Sequence, residues 1–317
     1  SNYTPPYMYL LWATSKVFPG VAPVMAIKVP SVAFDFLCAF FVHRIVSLRY
    51  PGGREALFAA MIVLVAPTVV SNSGLWGQAD SIYAAMLLGC VYALMTGHAA
   101  LAMIAFGLGL SIKFQTMFMA PALCALWLRR VLPFWTLLLV PLVYALAMVP
   151  AWFAGRPAVE LATVYLTQSV TYHNLTKNAP TLYAWLPQSQ YDIIVVAGLA
   201  LMVCVGSYYV WQVWKSKATL TPTLIMQLCL LSLIMTPFFL PKMHNRFFYT
   251  ADVLAIAYAF YFPRQYAVPV AVGFASFCAY QPFLFHKTVL PLPLLALIMA
   301  AALAAVATTA MRSLQQR

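Results

Sequence analysis

Residues 220–240 read LTPTLIMQLCLLSLIMTPFFL, residues 241–246 read PKMHNR, and residues 247–262 read FFYTADVLAIAYAFYF. Two apolar runs therefore flank a short segment carrying Lys242, His244 and Arg246. An apolar run of ~20 residues in a helix matches the ~30 Å hydrocarbon core of a bilayer. Charge at a membrane boundary is costly and is rarely kept without a partner or a task. Three cationic or protonatable side chains at this spacing suit the gripping of a phosphate.

The rest of the chain repeats the apolar pattern. Of 317 residues, 64% are hydrophobic and only 8% are charged, and the mean hydropathy is +0.87. The expected fold class is all-α, a polytopic transmembrane helical bundle. Barrel strands would alternate in polarity, and these segments do not. Spans are predicted at about 30–47, 55–71, 80–96, 98–112, 115–128, 132–153, 191–214, 220–240, 247–262, 266–285 and 289–311, about 11 in all. Residues 5–18 predict a short N-terminal interfacial or re-entrant helix. Residues 1–317 form one domain without internal repeats, with a non-cytoplasmic loop at about 154–190. Cys38, Cys90, Cys124, Cys204, Cys229 and Cys278 all fall in apolar runs and read as small core residues. The net charge of +12 is mostly loop charge on a membrane protein, which favours membrane lipids over nucleic acid as partners.

Alternating the spans places Arg44, Arg49, Arg54, Arg129, Arg130, Lys215, Lys217, Arg264, Arg312 and Arg317 on one side, the cytoplasmic one by the positive-inside rule. Lys28, Lys113, Arg156, Lys177, Lys242, Arg246 and Lys287 lie on or near the opposite side. Cations kept there against that rule point to anions on the non-cytoplasmic face. Snorkelling to headgroups is the equal alternative for Lys28 and Lys287.

Six acidic residues are present: Asp35, Glu55, Asp80, Glu160, Asp192 and Asp252. Asp80 ends the run Asn72–Asp80 (NSGLWGQAD) and opens the next span. A carboxylate there can accept hydrogen bonds from a sugar, with Gln78 and Trp76 as neighbours. Capping of the helix is the alternative, and the two are compatible. Asp35 and Asp252 lie inside spans and are expected to pair within the bundle, Asp35 with Lys28 or another helix. Lys113 and Gln115, in SIKFQ at 111–115, break an apolar region, and a lysine ammonium is a good point charge for phosphate. Loop 154–190 supplies Tyr165, Tyr172, His173, Asn174, Asn178, Tyr183 and Trp185, the mixture of aromatic faces and amides that binds carbohydrate, or equally a membrane-interface belt. Asn2-Tyr3-Thr4 and Asn174-Leu175-Thr176 match the N-glycosylation pattern, which matters only in an ER lumen. The scattered histidines offer no metal-ligand spacing, and no glycine-rich phosphate loop is present, so no cofactor is expected.

Taken in order, these motifs resemble the GT-C integral-membrane glycosyltransferases, in the branch of the GPI-type mannosyltransferases, their bacterial relatives and the ER glucosyltransferases of dolichol-linked glycans. Tyr3-Thr4-Pro5-Pro6-Tyr7 is similar to the Tyr-Pro-Pro closing the family's first external loop. Gly77-Gln78-Ala79-Asp80-Ser81-Ile82-Tyr83 resembles its Gly-x-x-(Asp/Gln) helix start, and Lys113-Phe114-Gln115 its Lys-x-Gln element. Asn178–Trp185 (NAPTLYAW) resembles Asn-Ala-x-Asn-Leu-Trp, and Met243-His244-Asn245-Arg246 resembles Met/Val-His-Glu-Arg/Lys, with Asn245 replacing a charge. The resemblance covers essentially the whole chain. It implies inverting transfer of a hexose, mannose or glucose, from a polyprenyl- or dolichyl-phosphate donor to a lipid-linked, glycan or protein acceptor on the non-cytoplasmic face. Lys113, Gln115, Lys242, His244 and Arg246 would hold the donor phosphate, and Tyr3, Tyr7, Trp76, Gln78, Asn178, Tyr183 and Trp185 the sugars. The family's base is expected upstream of Ser1. Within these residues Asp80 is the candidate base, ahead of Glu160. The implied location is a bacterial plasma membrane with a periplasmic site, or else the ER membrane. A transporter or flippase of lipid-linked sugar and a non-catalytic lipid-phosphate binder are the rival readings.

Overall fold

The computed structural model describes residues 4–166 and 173–316 in full and the backbone of 167–169. The fold is all-α. Its helices are α1 Pro5–Val17, α2 Pro23–Ser47, α3 Glu55–Val65, α4 Pro67–Trp76, α5 Asp80–Met95, α6 Ala99–Ile112, α7 Phe114–Leu128, α8 Phe134–Phe153, α9 Ala158–Ser169, α10 Tyr191–Lys215, α11 Pro222–Phe239, α12 Tyr249–Tyr261, α13 Ala267–Phe285 and α14 Leu292–Gln315. Two short strands, β1 Thr176–Lys177 and β2 Met243–His244, pair in parallel.

Six helices are long and apolar enough to cross a membrane, or seven if the pair α3–α4, bent by 40°, is one span. The sequence predicts about 11 spans, several of them short. The apolar runs lie where the sequence placed them. Pro67 breaks the expected 55–71 span, because proline lacks an N–H and clashes with the preceding turn. The chain then winds into a π turn over Val70–Trp76. Helix α5 has 16 residues and rises only ~24 Å. It is buried along almost its whole length, packed against α2, α6, α11 and α12. A helix enclosed by others need not match the bilayer thickness, since its ends meet protein rather than lipid. Loop 154–190 also differs from expectation, for it contains α9 and two short 3-10 turns.

The centre of the bundle is α5 with α11, whose apolar window is 83% buried. Close helix approach needs small residues. At Gly107 an added Cβ would lie 2.9 Å from Val143 of α8. Large apolar side chains such as Trp12, Phe153, Ile193 and Val196 point outward, as they do when lipid is the solvent. Cys124 and Cys204 are also exposed, unlike the four buried cysteines, so the expectation of six core cysteines fails for these two.

Hydrogen bonds stitch the two ends of the bundle separately. At one end, Tyr50 Oη donates to Phe260 O at 2.9 Å and Tyr261 Oη to Ile45 O at 2.7 Å. There Ser216 Oγ donates to Leu314 O, and Arg129 donates to Val213 O and Ala218 O, carbonyls at and beyond the C-terminus of α10. This end carries Arg44, Arg49, Lys215, Lys217, Arg264 and Arg312. At the other end Thr4 Oγ1 donates to Ile112 O at 2.9 Å, which ties the N-terminus of α1 to the break before Lys113.

Asp35 pairs with other elements, not with Lys28. Its Oδ1 accepts from Ser73 Oγ at 2.9 Å and from Tyr249 Oη at 2.7 Å, linking α2 to α4 and α12. Lys28 instead lies along Gly77, with its Cγ 3.1 Å from where a Cβ would stand. Asp252 accepts from Ser276 Oγ at 2.8 Å, a pairing inside the bundle as expected. Replacing Tyr249 by Phe leaves a buried carboxylate short of one donor. The expected loss is about 1–3 kcal/mol, read as a lower melting temperature in detergent with the helical circular dichroism unchanged.

Candidate functional site

Asp80 is fully buried at the start of α5. The residue capping that helix is Ala79, which offers no side-chain bond. The Asp80 oxygens turn to other side chains instead. Oδ1 accepts from Lys113 Nζ, and Oδ2 accepts from Asn72 Nδ2 at 3.0 Å and faces Arg246 Nε at 3.4 Å. Capping, the alternative raised by the sequence, is therefore not its role. One carboxylate joins α4, the α6–α7 break and the segment before α12.

The local chain explains why these groups converge. Gly77 sits at φ +70°, a conformation glycine adopts without strain, and it reverses the chain between the π turn and α5. That turn places Asn72 and Asp80 side by side. Lys113 is an extended residue, φ −150° and ψ 138°, where α6 stops and a 3-10 turn begins. Lys242 lies at φ +64°, uncommon for a residue with a side chain, and its N–H donates to Leu175 O at 2.7 Å. The backbone of 241–244 is thereby bound to loop 154–190. Thr176 pairs with Met243, Lys177 with His244, and Asn178, also left-handed at φ +56°, bridges to His244. The two segments singled out in the sequence thus meet as a two-stranded sheet.

Aromatic rings floor the site. The Arg246 guanidinium carbon lies 5.4 Å from the Trp76 ring centroid, and Lys113 Nζ lies 5.8 Å from that of Tyr83, distances at which cations are held by ring faces. Trp76 stacks on Phe283 at 4.2 Å and meets Tyr280 edge-on at 5.9 Å. Tyr83 closes the Gly77–Tyr83 motif, whereas nothing in the spacing of Tyr280 and Phe283 marks them in the sequence. Asn72 had one readable signal, its place in the run that ends at Asp80.

His244 packs on Phe247, with ring centroids 5.1 Å apart. Burial, then the Arg246, Lys177 and Lys113 charges, push its imidazole down from 6.5 to about 4. The protonatable member of the three is thus held toward its neutral form in the free protein. Because the unfolded chain binds the proton more readily, the contribution of His244 to stability is complete above pH 6.5. It falls as pH drops from 6.5 toward 4. His244→Gln is expected to flatten the melting temperature between pH 6.5 and 4, and an unchanged slope would refute this burial effect.

Other predicted residues are placed elsewhere. Lys242 Nζ points to the Tyr191 ring, 5.9 Å from its centroid, at the start of α10. Asn245 is buried, and its Nδ2 donates to Ala279 O at 3.0 Å, turned away from Asp80 to anchor α13. Tyr183 is buried against Gly198, and its hydroxyl donates to Phe239 O at 2.6 Å, so it braces α10 and the end of α11 and presents little surface to a sugar. Trp185 is 44% exposed on the same turn. Gln78 is half-buried, and its Oε1 has no hydrogen-bond partner among the described residues. Gln115 is half-buried and Tyr7 buried. Glu160 is exposed on α9 and pairs with Arg156 at 3.6 Å. Tyr3 and Tyr172 lie outside the described residues.

No family model matches the chain, and no curated protein matches it either.

Proposed function

We propose that the chain is a membrane glycosyltransferase that takes a hexose from a polyprenyl- or dolichyl-phosphate donor, with the lipid phosphate bound between Arg246, Lys113 and His244. The observation that carries this reading is the meeting of Arg246 and Lys113, from separate segments, on one buried carboxylate beside the β1–β2 pair. Two cations and a neutral imidazole that takes up a proton beside an anion form a charge-assisted cradle for a leaving phosphate. The acceptor oxygen bonds to the anomeric carbon as the bond from that carbon to the phosphate oxygen breaks. The bonding pair leaves with the lipid phosphate, and the acceptor proton passes to a general base. Asp80 is a poor base, because both its oxygens are engaged and its surface is closed. Its role is to hold Lys113 and Arg246 in register until the phosphate competes for them.

In this proposal the short helices α5, α6, α7 and α12 complete a bundle of about eleven spans in a bacterial plasma membrane, and the Asp80 end faces outward. A non-catalytic lipid-phosphate binder is the second reading, favoured by the same engagement of Asp80. The deciding experiment is transfer of labelled hexose from a polyprenyl-phosphate donor in proteoliposomes. Product formation that Arg246→Ala abolishes supports the enzyme. Saturable donor binding without product supports the binder. Donor appearing on the far leaflet without product would favour a flippase.

A further inference from the structure

Helices α7 and α10 enclose an apolar groove that the site at Asp80 does not use. Cys124 and Leu128 lie one turn apart on α7, and Val203, Ser207, Val210 and Trp214 recur every three or four residues on α10, so each helix turns one face to it. The space measures about 600 Å³, within the range of ligand pockets. Gly206 keeps it open, since a Cβ there would meet only the flexible end of Met202, at 3.3 Å. The walls are fixed. Tyr209 is buried, and its hydroxyl donates to Leu228 O on α11 at 3.0 Å, which sets the rotation of α10. Arg129, just past α7, donates to Val213 O at 2.9 Å and to Ala218 O at 2.7 Å, which ties together the two helix ends that close the groove.

That closed end is positively charged. Lys215 Nζ lies 3.6 Å from the centroid of the Trp211 ring, and Trp211 lines the groove. No carboxylate pairs with this ammonium among the described residues. Arg130 and Lys217, each next in sequence to a partner in the Arg129–Ala218 bond, are exposed at the same end. No acidic residue occurs in α7, or in α10 after Asp192. The depth is also informative. From Met202 to Trp214, both in the lining, α10 rises about 18 Å, while one leaflet contributes half of a hydrocarbon core of ~30 Å. The groove is therefore about as deep as one leaflet. Trp211 and Trp214 stand at its charged end, as tryptophans do at the headgroup level of a bilayer.

We infer that the groove seats one acyl chain of an anionic phospholipid from the leaflet at the Lys215 end, with its headgroup phosphate at Lys215. An apolar groove alone gives no preference over the surrounding bilayer, because lipid tails are as apolar as its walls. The preference comes from shape, through the fixed walls and the gap at Gly206, and from the charge at one end. A second copy of the chain laid in the groove would leave Lys215 without an anion. A donor held between Arg246 and Lys113 would bring its phosphate to the other end of the bundle. The bound phospholipid fills the gap between α7 and α10 and braces them, and it is not a substrate.

The test is native mass spectrometry of the delipidated protein titrated with palmitoyl-oleoyl phosphatidylglycerol. Phosphatidylcholine of the same chains and a polyprenyl phosphate serve as parallel probes. Saturable binding of a single phosphatidylglycerol is expected, with phosphatidylcholine weaker by about fivefold. Lys215→Gln should erase that preference, and Gly206→Leu, which fills the groove, should abolish both. Cys124 lines the groove, whereas Cys204 is exposed on α10 without lining it. Bound phosphatidylglycerol should therefore slow the reaction of Cys124 with N-ethylmaleimide and leave Cys204 unchanged. This protection needs no variant, so it decides the matter should Gly206→Leu fold poorly. Equal binding by Gly206→Leu, or no protection of Cys124, would rule out the groove as the seat. An unchanged preference in Lys215→Gln would overturn the headgroup assignment. Displacement of phosphatidylglycerol by equimolar polyprenyl phosphate would give the groove to the donor's tail and refute the phospholipid. Arg246→Ala is expected to leave this binding unchanged, which separates failure here from failure of the transferase reading.

Discussion

Asp80→Asn is expected to be the most destabilising single change in the chain, at about 3–5 kcal/mol. The substitution keeps the shape of the side chain but removes the counter-charge of two cations that are themselves largely buried, Lys113 and Arg246. A buried charge stripped of its partner suffers its full desolvation penalty, whereas removal of a whole pair is often tolerated. The second variant follows directly. Asp80→Asn combined with Lys113→Met removes one cation with the anion and is expected to recover a large part of the loss. Melting temperatures in detergent for wild type, the two single variants and the double variant complete a mutant cycle. If the double variant is no more stable than Asp80→Asn alone, the pair does not hold this end of the bundle together.

Arg246→Ala is expected to reduce hexose transfer by a factor of about 10²–10³, the usual cost of one donor aimed at developing negative charge. Stability should fall less than for Asp80→Asn, because Asp80 keeps Lys113 and Asn72 as partners. Arg246→Lys should not rescue activity. A lysine lacks the planar fork that both faces Asp80 at 3.4 Å and lies over Trp76 at 5.4 Å. Lys242→Ala should cost much less, since its ammonium is directed at Tyr191 and only its backbone N–H holds the strand pair. The measurement is initial transfer rate at saturating acceptor, with donor binding followed in parallel. Full activity in Arg246→Ala would remove the phosphate cradle, and equal losses for Lys242 and Arg246 would mean that the two cations act alike.

Lys242, His244 and Arg246 share a spacing but not a direction. Three such residues within five positions look like one cationic grip. The chain separates them because Lys242 adopts a left-handed turn and His244 lies in a strand, while Arg246 sits in a 3-10 turn. Each backbone state sends its side chain in a different direction. Burial and the neighbouring charges then disfavour the protonated form of His244, a shift no local pattern reports. Asn245 illustrates the same limit. As a residue type it looked like a lost charge beside a phosphate, yet its amide is turned into α13.

The sequence by itself determined the helical class, the position of nearly every apolar helix and the two segments that meet as β1 and β2. These follow from local quantities: hydropathy over ~20 residues, proline and glycine, and rare charge in an apolar chain. It could not determine how many helices reach full bilayer length, because α5 is short in a way that only its enclosure by neighbouring helices permits. Nor could it determine the partners of the buried charges. Asp80 meets Lys113 across 33 positions, and Asp35 meets Tyr249 across 214. Those pairings are set by which helix faces pack together, and packing is a property of the whole bundle, not of any one stretch within it.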